Sequence, residues 1–404
     1  MNPKMTDSRA LIAATEKVSA PNYHPLPVVI SRGEGVWVWD VEGRKYLDCI
    51  SAYSSLNHGH RHPRIVAALV EQAGKLTLTS RAVHNDQMGS FLAELCALAG
   101  MEMALPMNTG AEAVETAIKL ARKWGYRTKG VAQDKADIVV CRNNFHGRTT
   151  TIVGFSSEAQ YRQDFGPFTP GFTLVDFGDL AALQAAITPQ TVAFLVEPIQ
   201  AEAGIIIPPQ GYLAAARALC RERNVLFVLD EIQTGLGRTG KMFAYDHEPG
   251  ADPDMLVLGK ALGGGVYPVS AVLASRAIMR LLKPGDHGST FGGNPLAAAV
   301  GRTALRVLVH EHLVERAAEQ GEYLLAKLRA LGAPCIVEIR GRGLLVGIEI
   351  ASAAGSARAY CERLAERGVL AKDTHEQVVR LAPPLIVERR ELDWLVDQLR
   401  AVLR

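Results

Sequence analysis

Lys260 closes the run Leu256-Val257-Leu258-Gly259 and opens Ala261-Leu262-Gly263-Gly264-Gly265, and Asp230 closes Val228-Leu229 further upstream. Each is a lone charge at the end of a short apolar run of strand character, just ahead of a turn. A charge at the end of a buried strand is costly unless it is paired or used. An amine at one such end and a carboxylate at another suit one cofactor well, pyridoxal 5'-phosphate. The amine can condense with its aldehyde, and the carboxylate can keep its ring nitrogen protonated as an electron sink.

Other segments carry groups of compatible chemistry. Asn108-Thr109-Gly110-Ala111 precedes a helical pattern, so its backbone N–H groups and the positive end of the helix dipole suit a phosphate; a capped helix with nothing bound fits the same residues. Ser289-Thr290-Phe291-Gly292-Gly293-Asn294-Pro295 sets two hydroxyls beside glycines ahead of another helix, with the same two readings. In Asn144-Phe145-His146-Gly147-Arg148-Thr149, Phe145 can lie against a flat ring and Arg148 can grip a carboxylate with two N–H groups. A core phenylalanine and a surface arginine are the ordinary alternatives. Glu197-Pro198-Ile199-Gln200-Ala201-Glu202 ends another apolar run with two acids, either of which can simply cap or pair.

Strands and helices must bring these groups together. Between about 60 and 300 the pattern alternates helix and apolar strand, with strands expected at 137–142, 172–177, 192–197, 225–230, 254–259 and 270–274. Their near-continuous apolar character predicts an α/β fold, a mainly parallel sheet covered by helices on both faces. Helices are expected at 64–73, 86–98, 110–126 and 211–223. Trp37-Val38-Trp39-Asp40 and Lys45-Tyr46-Leu47-Asp48 around a glycine turn read as a β-hairpin. From about 300 a helical stretch runs to about 330, followed by strands at 336–339 and 344–348 and an amphipathic helix at 388–403. A chain of 404 residues exceeds what one core usually organises. Two domains are therefore expected: a large one over 59–299, and a small α+β one from 1–58 and 300–404.

Composition narrows the function class. A net charge of +2 with no long basic run argues against a nucleic-acid partner. No uncharged stretch reaches the roughly twenty residues that cross a bilayer, so no membrane association is expected. Residues 1–20 mix Lys4, Asp7, Arg9, Glu16 and Lys17 without an apolar core, unlike a secretory signal. The six cysteines show no CxxC or metal-ligand spacing, so reduced thiols and a cytoplasmic setting are expected. His58, His60 and His62 lack companion carboxylates or cysteines nearby and read as a loop entering a helix, with no metal.

Taken in order, the phosphate turn, ring-facing loop, acidic strand end, Asp230, Lys260 and hydroxyl turn resemble the class III, fold type I pyridoxal-phosphate aminotransferases. The resemblance covers essentially the whole chain and is most specific over 228–265. Local words resemble the ornithine-specific branch, among them Asn22-Tyr23-His24-Pro25-Leu26-Pro27, Ser51-Ala52-Tyr53-Ser54, Lys372-Asp373-Thr374-His375 and Arg380-Leu381-Ala382-Pro383-Pro384. His146 departs from the tryptophan of the ornithine enzymes compared, and Ala201 replaces a glycine.

The resemblance implies transfer of the δ-amino group of L-ornithine to 2-oxoglutarate. The products would be glutamate 5-semialdehyde and L-glutamate, formed by a ping-pong cycle between arginine and proline metabolism. It implies that Lys260 holds the cofactor and moves the proton, that Asp230 meets the ring nitrogen, and that Gln233 meets the ring oxygen. Phe145 would stack on the ring. Gly110 and Ala111 would hold the phosphate, with Ser289 and Thr290 arriving from a second subunit of a homodimer. Arg148, Tyr23 and Tyr53 would bind the ornithine α-substituents. Arg380 would take the α-carboxylate of 2-oxoglutarate, with Glu202 covering it when ornithine binds.

The nearest alternative is an aminotransferase for N-acetylornithine or another ω-amino acid. Tyr53 discriminates, because a free α-ammonium needs a polar contact and an acetylated one prefers an apolar wall. An aminomutase has no use for a second carboxylate arrangement such as Glu202 with Arg380. A catalytically dead binding module would have no reason to keep both Lys260 and Asp230.

Overall fold

The apolar runs assemble into a seven-stranded sheet. In the computed structural model, which describes residues 7–403, its order is Met103–Met107, Ser270–Ala274, Met255–Leu258, Leu226–Asp230, Thr191–Val196, Asp137–Cys141 and Phe172–Val175. All six expected strands are present, and the four pairings among 137–141, 172–175, 191–196, 226–230 and 255–258 are parallel. Alternate residues feed two separate cores. Val139 and Cys141 join one apolar cluster, whereas Ile138 and Val140 join another that receives Ala113, Val114, Ala117 and Ile118 from the helix Gly110–Trp124. Burial on both faces explains why these strands read as continuous apolar runs.

The seventh strand, Met103–Met107, lies outside the sequence expectation. It contains Pro106, which argues against a strand except at an edge, and it is one of the two edge strands here, antiparallel to Ser270–Ala274.

Two four-stranded sheets complete the molecule. The expected hairpin pairs Trp37–Asp40 with Lys45–Asp48, extends outward to Ile30–Glu34, and on its other side meets Val369–Leu370 in parallel, Leu47 opposite Val369. The third sheet runs Ile336–Arg342, Leu345–Ile350, Val378–Leu381 and Lys372–Thr374, all antiparallel. The helical stretch ending near 330 is two helices, Pro295–His310 and Leu313–Arg329. They part where His312 takes a left-handed φ of 52°.

The final helix, Arg389–Val402, starts where Glu391 accepts the Glu388 N–H at 2.9 Å, and it buries Leu392, Leu395, Val396 and Leu399. His58, His60 and His62 face three different partners, the Ala304 carbonyl, Asp48 and Glu311. Among the described residues no helix is long and apolar enough to cross a membrane.

Candidate active site

The strands ending at Met107, Cys141, Val196, Asp230 and Leu258 run in one sense, so the loops that follow them meet along a single edge of the sheet. Open α/β sheets bind ligands at such an edge. A cavity of about 200 Å³ lies there, lined by Gly110, Ala111, Phe145, Asp230, Ile232 and Lys260 among others. Asp230 and Lys260 reach it from adjacent strands.

Lys260 follows Leu258-Gly259 directly and takes a left-handed φ of 43°, a conformation that a non-glycine residue holds only under constraint. Burial pushes its amine down to about 8, against the opposing pull of the Glu202 and Asp230 carboxylates. An amine so lowered is available as a base near neutral pH.

Asp230 is held through both oxygens. Oδ2 lies 2.7 Å from His146 Nδ1, and Oδ1 accepts the Ile232 N–H at 3.0 Å. Burial works against a charged His146, but the Asp230 hydrogen bond and charge override it and raise its pKa. The imidazole therefore backs the carboxylate from behind. Glu197 Oε2 accepts the Phe145 N–H at 2.9 Å and so anchors the loop that carries the ring. Burial, reinforced by the Asp230 charge, pushes the Glu197 carboxyl up to about 7.

The phosphate turn is shaped by its cap. Glu112 accepts from the N–H groups of Asn108 and Thr109, and Thr109 Oγ1 accepts from the Glu112 N–H. Gly110 and Ala111 line the cavity at the start of the helix, where a phosphate gains from the free N–H groups and the dipole. A Cβ on Gly110 would stand 2.9 Å from Ile232 Cδ1, so glycine keeps this turn close to the cavity wall.

A second cluster borders the cavity. Arg380, 1% exposed, donates from Nη1 to Glu202 Oε1 at 2.5 Å, and Gln233 Nε2 donates to the same oxygen at 3.1 Å. Among the described residues, Arg380 Nη2 is buried without a partner. Burial alone would raise the Glu202 carboxyl, but the Arg380 and Lys260 charges hold it at about 2. The Tyr53 ring sits 5.4 Å from the Arg380 guanidinium. Burial, followed by the Glu202 charge, keeps the Tyr53 hydroxyl protonated by raising its pKa.

Tyr53 is placed by an unusual turn. Ser51, Ala52, Tyr53 and Ser54 all have left-handed φ values, from 45° to 68°, which cost L-residues roughly 1–2 kcal/mol each. The turn is held by Asp48 Oδ1, which accepts the N–H groups of Ile50 and Ser51 at 2.9 Å each.

Not every expected residue reaches the cavity. Arg148 is exposed and lies 3.6 Å from the Tyr161 ring centroid and 5.4 Å from that of Phe145, with no carboxylate partner among the described residues. Tyr23 is 72% exposed. Ser289 lies beside the phosphate turn of its own chain, where Oγ accepts from Asn108 Nδ2 at 2.9 Å, and Thr290 is exposed. Neither hydroxyl lines the cavity. Conversely, His146, Ile232 and Glu197 line it without having been assigned a role from the sequence. Their signal is positional: Glu197 directly follows a strand end, Ile232 comes two residues after one, and His146 lies in the loop that leaves Cys141.

The family profile for Aminotransferase class-III matches residues 18–403. The chain belongs to this family. As a class-III aminotransferase it is a pyridoxal-phosphate-dependent transaminase, and the residues present fit that group. An amine and a carboxylate enter one cavity from adjacent strands, a phosphate turn opens beside them, and Phe145 and Ile232 offer apolar walls for a ring. Among its relatives, an ornithine aminotransferase of Brevibacillus brevis is 57% identical over 99% of both chains. The structure of an ornithine aminotransferase from Toxoplasma gondii superposes with a TM-score of 0.97 at 45% identity, covering 99% of this chain and 95% of that one. Pyridoxal phosphate partly occupies its active site. An acetylornithine aminotransferase from Elizabethkingia anophelis superposes at 0.89 with 48% identity, covering 98% and 99%. The scaffold thus serves both substrates among its relatives, and side chains must decide between them.

Proposed function

We propose that this transaminase moves the δ-amino group of L-ornithine to 2-oxoglutarate. The observation that carries the reading is the Glu202–Arg380 ion pair beside Tyr53. Pyridoxal phosphate supplies the aldehyde and the electron sink. The Lys260 Nζ would hold the cofactor and carry the proton that leaves the reacting carbon of the substrate, and Asp230 would keep the ring nitrogen protonated. Gln233 would meet the ring oxygen, and Gly110 and Ala111 would hold the phosphate.

Ornithine carries an α-carboxylate that an open Arg380 would attract, and that pose presents the wrong amine. With Glu202 on Arg380 the α-carboxylate goes instead to Arg148, whose guanidinium has no carboxylate of its own, and the δ-amine reaches the cofactor. 2-Oxoglutarate has a second carboxylate to displace Glu202, and the unpartnered Arg380 Nη2 completes a two-pronged grip. Removing Glu202 is therefore expected to raise the single-turnover rate with glutamate relative to ornithine. Stopped-flow absorbance of Glu202→Ala with each amino acid measures the ratio; a ratio at or below the wild-type value would sink the switch.

The N-acetylornithine alternative turns on Tyr53. Its hydroxyl, with Tyr23 nearby, offers a polar contact to a free α-ammonium. Tyr53→Ile should lower the preference in kcat/KM for ornithine over N-acetylornithine about tenfold, as expected for loss of one hydrogen bond of roughly 1–3 kcal/mol. An unchanged preference would reduce Tyr53 to packing.

The same reading makes the working unit a cytoplasmic homodimer. Thr290 is exposed in the single chain, in keeping with a hydroxyl that serves the phosphate of a neighbouring copy, and the six cysteines are all unpaired. It also divides the chain at 59–299 and at 1–58 with 300–404, with Tyr53 and Arg380 on the smaller unit.

A further inference from the structure

The acidic loop that carries Glu202 rests on a row of three residues in the third sheet. Arg340 pairs across strands with Gly347, and Gly347 pairs on its other side with Arg380. Directly opposed residues share a sheet face, so two arginines flank a glycine. The loop fills the space above that glycine. A Cβ on Gly347 would stand 3.3 Å from the Gly204 carbonyl oxygen and 3.2 Å from Val378 Cγ1.

The two arginines hold the loop differently. Arg380 takes the Glu202 carboxylate, whereas Arg340 Nε donates to the Gly204 carbonyl at 2.9 Å. Gly204 itself has a φ of 104°, which suits glycine and bends the loop down onto the sheet. Thr374, from the strand beside Arg380, donates its hydroxyl to the Glu202 carbonyl. Arg340 is in turn fixed from Nη1 by Glu338 at 2.7 Å and Glu349 at 2.5 Å. The loop backbone is thus pinned at two carbonyls, one on each side of Ala203.

We propose that Arg340 is a positioning residue for substrate choice, holding the loop so that Glu202 releases Arg380 only by rotating its side chain. This inference rests on the Glu202–Arg380 switch. A pinned backbone returns the carboxylate to the same place after every 2-oxoglutarate half-reaction. A loosened backbone lets the whole loop drift, which leaves Arg380 open to α-carboxylates when ornithine should bind.

The test is a double-mutant cycle read by single-turnover rates of the holoenzyme with glutamate and with ornithine. Arg340→Met should raise the glutamate-to-ornithine rate ratio about threefold or more, as residues of one network do when uncoupled. Arg340→Lys, which keeps a donor, should recover part of the wild-type ratio. In a Glu202→Ala background, Arg340→Met should change the ratio no further, because the group it positions is gone. Should Arg340→Met fail to fold, Gly347→Ala pushes the loop up from the sheet between the two arginines and must shift the ratio in the same direction. An unchanged ratio in the Arg340 or Gly347 variant, with Glu202→Ala still shifting it, overturns the role of Arg340 alone. A full Arg340→Met effect persisting without Glu202 overturns it too. If Glu202→Ala itself leaves the ratio unmoved, the switch reading fails and this inference falls with it.

Discussion

Lys260→Ala should bind the cofactor yet lose kcat by roughly 10⁴-fold or more, because covalent attachment and proton transfer vanish together. Among the cavity-lining residues it is the only amine, so nothing nearby can take over. Borohydride reduction of the wild-type holoenzyme should attach the cofactor to the peptide containing Lys260. A labelled peptide from elsewhere would reassign the centre. The variant should stay folded, since burying an amine whose charged form is disfavoured adds little to stability.

The second large effect belongs to Asp230. Asp230→Asn keeps the shape and removes the charge that faces His146 and, in the proposed function, the ring nitrogen. A preorganised charge in a water-poor site is worth about 10²- to 10³-fold in rate, so kcat should fall by at least that much. Far-ultraviolet circular dichroism should be unchanged. His146 should simultaneously lose the partner that raises its pKa, and a histidine titration moving to lower pH by NMR would register it. A variant with wild-type kcat would show that the ring nitrogen needs no anion.

Much of this was legible from residues because buried strands and their terminal charges leave a strong pattern. The six strands expected from the sequence are continuous apolar runs, and Asp230 and Lys260 interrupt such runs abruptly. Met103–Met107 was not legible because Pro106 signals the opposite of a strand unless the edge position is known. The break at His312 lacks glycine or proline, so the sequence reads through it as one helix. The left-handed turn at Ser51–Ser54 is equally silent, since four ordinary residues hold a conformation imposed by Asp48 and the surrounding fold. Nothing in the sequence singles out Arg340, one residue beyond the strand expected at 336–339. Only the register that sets it in line with Gly347 and Arg380 gives it a purpose.

The parallel pairing of Leu47 with Val369 bears on how the molecule is made. Cys49 donates its N–H to the Leu370 carbonyl and accepts from the Ala382 N–H, and the Asn57 carbonyl accepts from the Leu385 N–H. The segment that presents Tyr53 is therefore stitched to residues that leave the ribosome more than three hundred positions later. At a synthesis rate of about 5–20 residues per second, the first hairpin waits many seconds with an edge uncovered. The seven-stranded sheet, complete by residue 274, can form during that wait. The wall formed by Tyr53 and Arg380 is then the last part to close, and a nascent chain cut short before residue 369 would have the cavity of Asp230 and Lys260 without that wall.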